Sequence, residues 1–153
     1  VFNAEQLLKD IGWTGGETAQ IAKYVDKQIG NTKTVLAAED SGVAREVLSK
    51  FFEKANIKYE IFPNGKQLLE RLEEIDSSNI GLIITDSEMP ETDGYQVAQY
   101  IKDNNRYSHI PVLVNSSMTT EAVKNKMDNI GVDGFIGKTD IKALYAAVNQ
   151  HLN

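Results

Sequence analysis

The sequence predicts an α/β fold in which five βα units wind into a doubly covered parallel sheet, with a helical extension in front. Three observations predict it. Past Gly30-Asn31, short apolar runs alternate with segments of helical periodicity, the pattern of successive βαβ units with right-handed crossovers. The run over residues 80–85 is apolar and rich in β-branched residues, which suits a strand covered on both faces of a parallel sheet. Acidic, hydroxyl or basic residues follow four of the runs, at the strand ends where open α/β sheets meet their ligands.

The first strand is Thr34-Val35-Leu36-Ala37-Ala38, and it delivers the pair Glu39-Asp40. A helix over 42–55 follows, with Val43, Val47, Leu48 and Phe51 on one face. After the strand over 59–62 comes Pro63-Asn64-Gly65, which alone signals a hairpin turn. The helical spacing of Leu68, Leu69, Leu72 and Ile75 decides for a helix instead. The third strand carries Asp86 out of the core into Met89-Pro90-Glu91-Thr92-Asp93-Gly94, a turn in which Pro fixes φ and Gly94 is able to take a positive one. A helix over 95–104 leads to the fourth strand, Pro111-Val112-Leu113-Val114, and then to Asn115-Ser116-Ser117. A helix over 120–130, the strand Gly134-Phe135-Ile136-Gly137 ending in Lys138, and a helix over 141–151 complete the units.

Taken singly these polar residues have ordinary explanations: Asp86 a solvated acid, Ser116 a helix cap, Lys138 a solvated base. Their joint placement points further. Adjacent parallel strands bring Glu39, Asp40 and Asp86 into one crevice, where like charges raise one another's pKa unless a cation intervenes. Clustered carboxylate oxygens in an open site suit Mg²⁺. A hydroxyl at Ser116 and an ammonium at Lys138 suit the oxygens of a phosphoryl group carried on Asp86.

These residues, over 34–152, resemble the receiver domains of two-component response regulators. The resemblance implies that Asp86 is the phosphoacceptor, Glu39 and Asp40 the acidic pair, Ser116 the hydroxyl of the switch, Lys138 the lysine and Phe135 the switch aromatic. It also implies the flavodoxin-like strand order 2-1-3-4-5. Mg²⁺ would be held by the acidic pair, with Asp40 and Asp86 as direct ligands and a backbone carbonyl at Glu88 beside them. The hydroxyl's inward shift would let Phe135 turn in, changing the face made by the helix over 120–130, the fifth strand and the last helix. Self-phosphorylation and slow self-dephosphorylation are the only reactions expected, so the chain is not read as an enzyme. Two positions depart from the common pattern: Phe135 stands where many chemotaxis receivers have Tyr, so no phenolic hydroxyl reports the switch. Thr139 stands where Pro is usual, and a cis Lys138-Thr139 bond with the ammonium facing Asp86 is expected.

Within the family, Asn115-Ser116-Ser117-Met118 and Gly134-Phe135-Ile136-Gly137-Lys138 are most similar to the receiver half of CheV-type chemotaxis coupling proteins. That similarity implies the histidine kinase CheA as phosphodonor, a CheW-like domain upstream of Val1, receptor arrays as the setting and a cytoplasmic location. A receiver of another response regulator and a stand-alone phosphate sink are the alternatives. A haloacid-dehalogenase-like phosphatase also uses an aspartyl nucleophile with Mg²⁺. It expects a second Asp two residues on, where this chain has Glu88, and its nucleophile strand is first, not third.

Residues 1–31 lie outside this pattern and read as a helical linker or extension to a receiver at 32–153. Ala4, Leu7, Leu8 and Ile11 have helical spacing, as do Thr18, Ile21, Val25 and Ile29, with Gly15-Gly16 between the two sets. Either this is a linker cut from a larger protein, or its apolar stripe packs on the receiver or a partner. The absence of an initiator Met leads us to expect an excised fragment, and the last helix to end the chain without an output domain. With 153 residues the chain holds one ordinary domain, and its 41% hydrophobic content supplies a core. A net charge of −6 argues against a nucleic-acid surface. No cysteine is present, which removes disulfides and thiolate metal sites. No apolar stretch approaches a membrane span, and no signal peptide is expected.

Overall fold

The buried run Ile80–Asp86 becomes β3, the central strand of a five-stranded parallel sheet. The computed structural model describes residues 16–31, 33–89, 92–117, 120–138 and 140–152. Around β3 lie β1 (Thr34–Ala38), β2 (Tyr59–Phe62), β4 (Val112–Ser116) and β5 (Gly134–Gly137), in the order β2-β1-β3-β4-β5. The order implied by the family resemblance is the one observed.

Side-chain alternation along the strands builds two cores. Val35 and Ala37 of β1, Leu82 and Ile84 of β3, Leu113 of β4 and Ile136 of β5 share one face. Against it pack α2 (Gly42–Lys54), through Val47, Leu48, Phe51 and Phe52, and α6 (Ile141–Leu152), through Ile141, Leu144 and Val148. Leu36, Ala38, Ile83 and Val112 face the other way, against Leu68 and Leu72 of α3 (Gly65–Glu74) and Val97, Ala98 and Ile101 of α4 (Gly94–Asp103). A further helix, α5 (Glu121–Ile130), buries Met127. With both faces covered, the strands need no polar alternation.

Helix starts are fixed by side-chain caps that satisfy otherwise orphaned N–H groups. Ser41 accepts from Ala44 N, Asn64 from Gln67 N, and Thr120 from Val123 N. Asp93 and Gln96 form a reciprocal capping box on α4. The Asn64 cap is why Pro63-Asn64-Gly65 opens a helix and not a hairpin. Gly94 departs from the sequence reading: it is the first residue of α4 and takes no positive φ. Its lack of a side chain matters for a different reason, the approach of the Asp86 carbonyl, where an added Cβ would lie 2.1 Å from the oxygen.

The described part of the extension packs on the sheet's first face. Helix α1 (Gly16–Tyr24) stops five residues short of Ile29, yet Ile21 and Val25 are buried in the core between α2 and α6. Beyond it the chain is tied down by backbone bonds: Ile29 and Gly30 N–H donate to Ala55 O, and Tyr145 Oη donates to Lys27 O. The apolar stripe therefore docks on the receiver. The first expected helix, over 4–11, and Thr139 with its peptide bond lie outside the described residues. Among the described residues no helix is long and apolar enough to cross a membrane.

Candidate functional site

Four strand ends converge at the carboxyl edge of the sheet. Asp86 closes β3, Glu39 and Asp40 follow β1, Ser116 closes β4 and Lys138 follows β5. Parallel pairing sets Asp86 beside Asn115, and Asn115 beside Ile136. Alternation puts Asp86, two residues past Ile84, on the face toward α2 and α6. Glu39 and Asn115 line a small cavity with α2 residues on that same face.

Carboxylate oxygens of Glu39, Asp40 and Asp86 lie within 4.8 Å of one another. Glu39 and Asp86 are buried, at 1% and 4% exposure, while Asp40 is exposed. Lys138 Nζ sits 2.8 Å from Glu39 Oε1 and 2.9 Å from Asp86 Oδ2, so the ammonium spans the two buried acids. The expectation that the Lys138 ammonium faces Asp86 matches the observed distance. Backbone N–H groups hold the remaining oxygens: Ser41 N donates to Glu39 Oε2 and Glu88 N to Asp86 Oδ1. Arg45, which sequence pattern alone did not single out, donates to the carbonyls of Glu39 and Asp40 and fixes their loop from α2.

An open pocket of about 380 Å³ lies above these groups, lined by Asp40, Asp86, Glu88, Met89, Ser117 and Lys138. Ser116 does not line it. That residue is fully buried, and its hydroxyl is 2.6 Å from Ser87 Oγ. Nothing in one chain's spacing says that of these two adjacent serines Ser117 faces the pocket, nor that Ser87 partners the Ser116 hydroxyl. Phe135, half-buried, sits on β5 opposite Val114 and away from the acid cluster.

Burial pushes the Glu39 carboxyl up to about 7, and the Asp86 charge adds to the rise against the opposing pull of Lys138. Burial alone would lower Lys138, yet its bonds to Glu39 and Asp86 outweigh that and hold its pKa above the ordinary value. A raised carboxyl favours folding while protonated, so its contribution is full below 4.5 and lost as pH climbs to about 7. Metal-free protein is expected to lose on the order of 3 kcal/mol at most across that window. Lys138 contributes no slope there, since its own loss comes only above the ordinary lysine range. Denaturant midpoints of wild type and Glu39→Gln between pH 4.5 and 8 check this: the difference between the two should change with pH, and parallel curves would show that Glu39 does not titrate there.

The family model described as the response regulator receiver domain matches residues 35–149. Chemotaxis proteins CheV1 and CheV2 of Helicobacter pylori are 37% and 30% identical to the chain, covering 99% and 100% of it. The chain spans about half the length of those relatives, 48% and 49% respectively. Among solved structures, Vibrio cholerae chemotaxis protein CheY4 superposes with a TM-score of 0.71 at 22% identity, covering 79% of this chain and 99% of that one. A signal receiver domain of a histidine kinase from Syntrophus aciditrophicus gives 0.69 at 27% identity, covering 78% and 89%. By sequence match and by fold, the chain belongs to the receiver domains of response regulators.

Proposed function

We propose that this chain is the phosphoacceptor receiver of a CheV-like chemotaxis signalling protein, with Asp86 as the residue phosphorylated. The observation that carries the reading is the setting of Asp86: a carboxylate at 4% exposure whose neighbours are an ammonium at 2.9 Å and two more acids, beneath an open pocket. Clustering such groups at one sheet edge is costly without a use.

The step is a transfer between nucleophiles. A phosphohistidine N–P bond breaks, an Asp86 oxygen–phosphorus bond forms, and the imidazole departs with the bonding pair. Lys138 already faces Asp86 and places positive charge where phosphoryl oxygens gather. The donor set also fits a divalent cation: it is all carboxylate oxygen, within 4.8 Å, and open on one side. Glu39, Asp40, Asp86 and Glu88 would hold Mg²⁺ there. When bound, it neutralises phosphoryl charge.

Phosphorylation adds about −1.5 to −2 units of charge at this edge, by analogy with phosphoserine. Ser116, one residue past the Asp86–Asn115 pairing, and Phe135 on the next strand are the parts we assign to reading it out, through α5, β5 and α6. We assign the kinase CheA as donor, CheW and receptor-array components as partners, and the cytoplasm as location. Support comes from the CheV relatives, whose similarity runs through the extension as well as the receiver. On this reading 1–31 is an extension to a receiver at 32–153, and its described part docks through Ile21 and Val25.

Intact mass after incubation with Mg²⁺ and a small acyl phosphate tests the assignment. Wild type is expected to gain one phosphoryl group and Asp86→Asn none. An equal gain in both would move the modification to another residue and end the reading.

A further inference from the structure

Asn115 presents a polar atom that nothing so far described uses. It is the penultimate residue of β4, paired with Asp86, and 93% of its surface is buried (7% exposed). Its Oδ1 has no hydrogen-bond partner among the described residues. Leaving an amide oxygen so costs roughly 1–3 kcal/mol, and buried polar groups in folded proteins are nearly always satisfied by protein or by ordered water.

The same residue borders a cavity of about 20 Å³ behind the acid site. Its polar walls are Glu39, Asn115 and Lys138, and the rest is apolar, including Leu48, Phe51 and Leu144. A water requires roughly 10–15 Å³ measured in this way and two to four polar partners. Both conditions are met. Lys138 also has a hydrogen to give: its ammonium carries three, and two go to Glu39 and Asp86.

We propose that this cavity is a binding site for one internal water, which accepts from the Lys138 ammonium and donates to Asn115 Oδ1, and that Asn115 is thereby a positioning residue for Lys138. With Glu39 on one side, Asp86 on another and the water behind, all three N–H bonds of the ammonium have assigned directions. The lysine is held toward Asp86 by a tripod. A buried polar residue directly after the apolar run Val112-Leu113-Val114 then has a reason to be there. Its role in phosphoryl transfer rests on the phosphoacceptor reading above; the water site itself does not.

The test compares Asn115→Thr with Asn115→Val, two side chains of one shape that differ by a hydroxyl. A high-resolution crystal structure of wild type is expected to show a water between Asn115 Oδ1 and Lys138 Nζ, retained in the Thr variant and lost in the Val variant. Solvent exchange of the Lys138 ammonium protons, read by nitrogen-15 NMR on unphosphorylated protein, should speed up about tenfold in Asn115→Val, the factor expected for losing one hydrogen bond to a charged group. Asn115→Thr should restore slow exchange, whereas a purely packing role would leave both variants alike. A dry cavity in wild type, or equal exchange in Thr and Val variants, overturns the proposal. Because these readouts need no phosphate on Asp86, failure of the phosphoacceptor reading would show separately, in the Asp86→Asn mass experiment.

Discussion

Gly94→Ala is expected to destabilise the protein by about 3 kcal/mol, the upper end of the ordinary cost of overpacking, and to slow phosphorylation at Asp86. A Cβ built on Gly94 lies 2.1 Å from the Asp86 carbonyl oxygen and 2.8 Å from Ser87 Cα. Those atoms are backbone, so no rotamer change relieves the clash. Either α4 or the β3 end must move. Neither is free to do so: Gly94 N–H donates to Ser87 O, and the Asp93–Gln96 capping box pins the start of the helix. A displacement of Asp86 by even a fraction of an ångström also lengthens its 2.9 Å contact with Lys138, and positioning errors near 1 Å cost on the order of a hundredfold in rate. Denaturant midpoints and the rate of mass gain from a small acyl phosphate check both effects. Wild-type values for both would mean that the β3 to α4 connection is looser than its packing indicates.

Gly94 also shows where sequence reading stops. Its place after Pro90 and Asp93 marks a turn, and a turn glycine reads as a positive φ. Local pattern cannot reveal that the constraint is the carbonyl of Asp86, well back in the chain and pressed against the helix start by tertiary packing. The strands were legible because each is a short run rich in apolar residues followed by polar or turn residues: the expected bounds for the half-buried edge strands β2 and β5 match the observed ones, and the buried β3 runs one residue further, to Asp86. The acids and Lys138 were legible because each follows such a run directly. Strand order was not readable from pattern, since it depends on which strands pair across the chain; it came with the family resemblance. For the same reason the sequence left open whether the stripe of Ile21 and Val25 meets the receiver or a partner, and gave no sign of the Ser87–Ser116 contact or the Arg45 bonds to the acidic loop. On α2, Ala44 is buried while Val43 is only partly so, a shift of one position in the apolar face that helical spacing leaves undetermined.

Lys138→Met is expected to cost about 3 kcal/mol of stability above pH 8, less at pH 5, and to lower the phosphorylation rate by about a hundredfold or more. Methionine keeps the unbranched apolar stem of lysine as far as Cε, so the change removes little more than the ammonium. Removing one partner of a buried pair costs roughly 3–5 kcal/mol, because the other charge stays buried and unpaired. The lower end applies here, since the Lys138 side chain is 20% exposed and screened by water. Two acids are orphaned, Glu39 at 2.8 Å and Asp86 at 2.9 Å from the lost ammonium. Without Lys138 the forces that already raise Glu39, burial and the Asp86 charge, are opposed only by the Ser41 N–H bond. At pH 5 Glu39 is protonated in wild type and variant alike, and only Asp86 loses its counter-charge. Above pH 8 the variant has the choice of keeping a buried anion or taking a proton from dilute solution, and both are costly. Added Mg²⁺ should return part of the loss at pH 8 by standing between the carboxylates. On the proposed phosphoacceptor reading the rate falls because positive charge beside the transferring phosphoryl oxygens is gone, an effect worth about 10² to 10³ for one such group. Urea midpoints at pH 5 and pH 8, with and without Mg²⁺, measure the stability arm. Equal losses at both pH values would mean that Glu39 does not depend on Lys138 for its charge, and no loss at either would make the ammonium a surface group that happens to rest between the two acids.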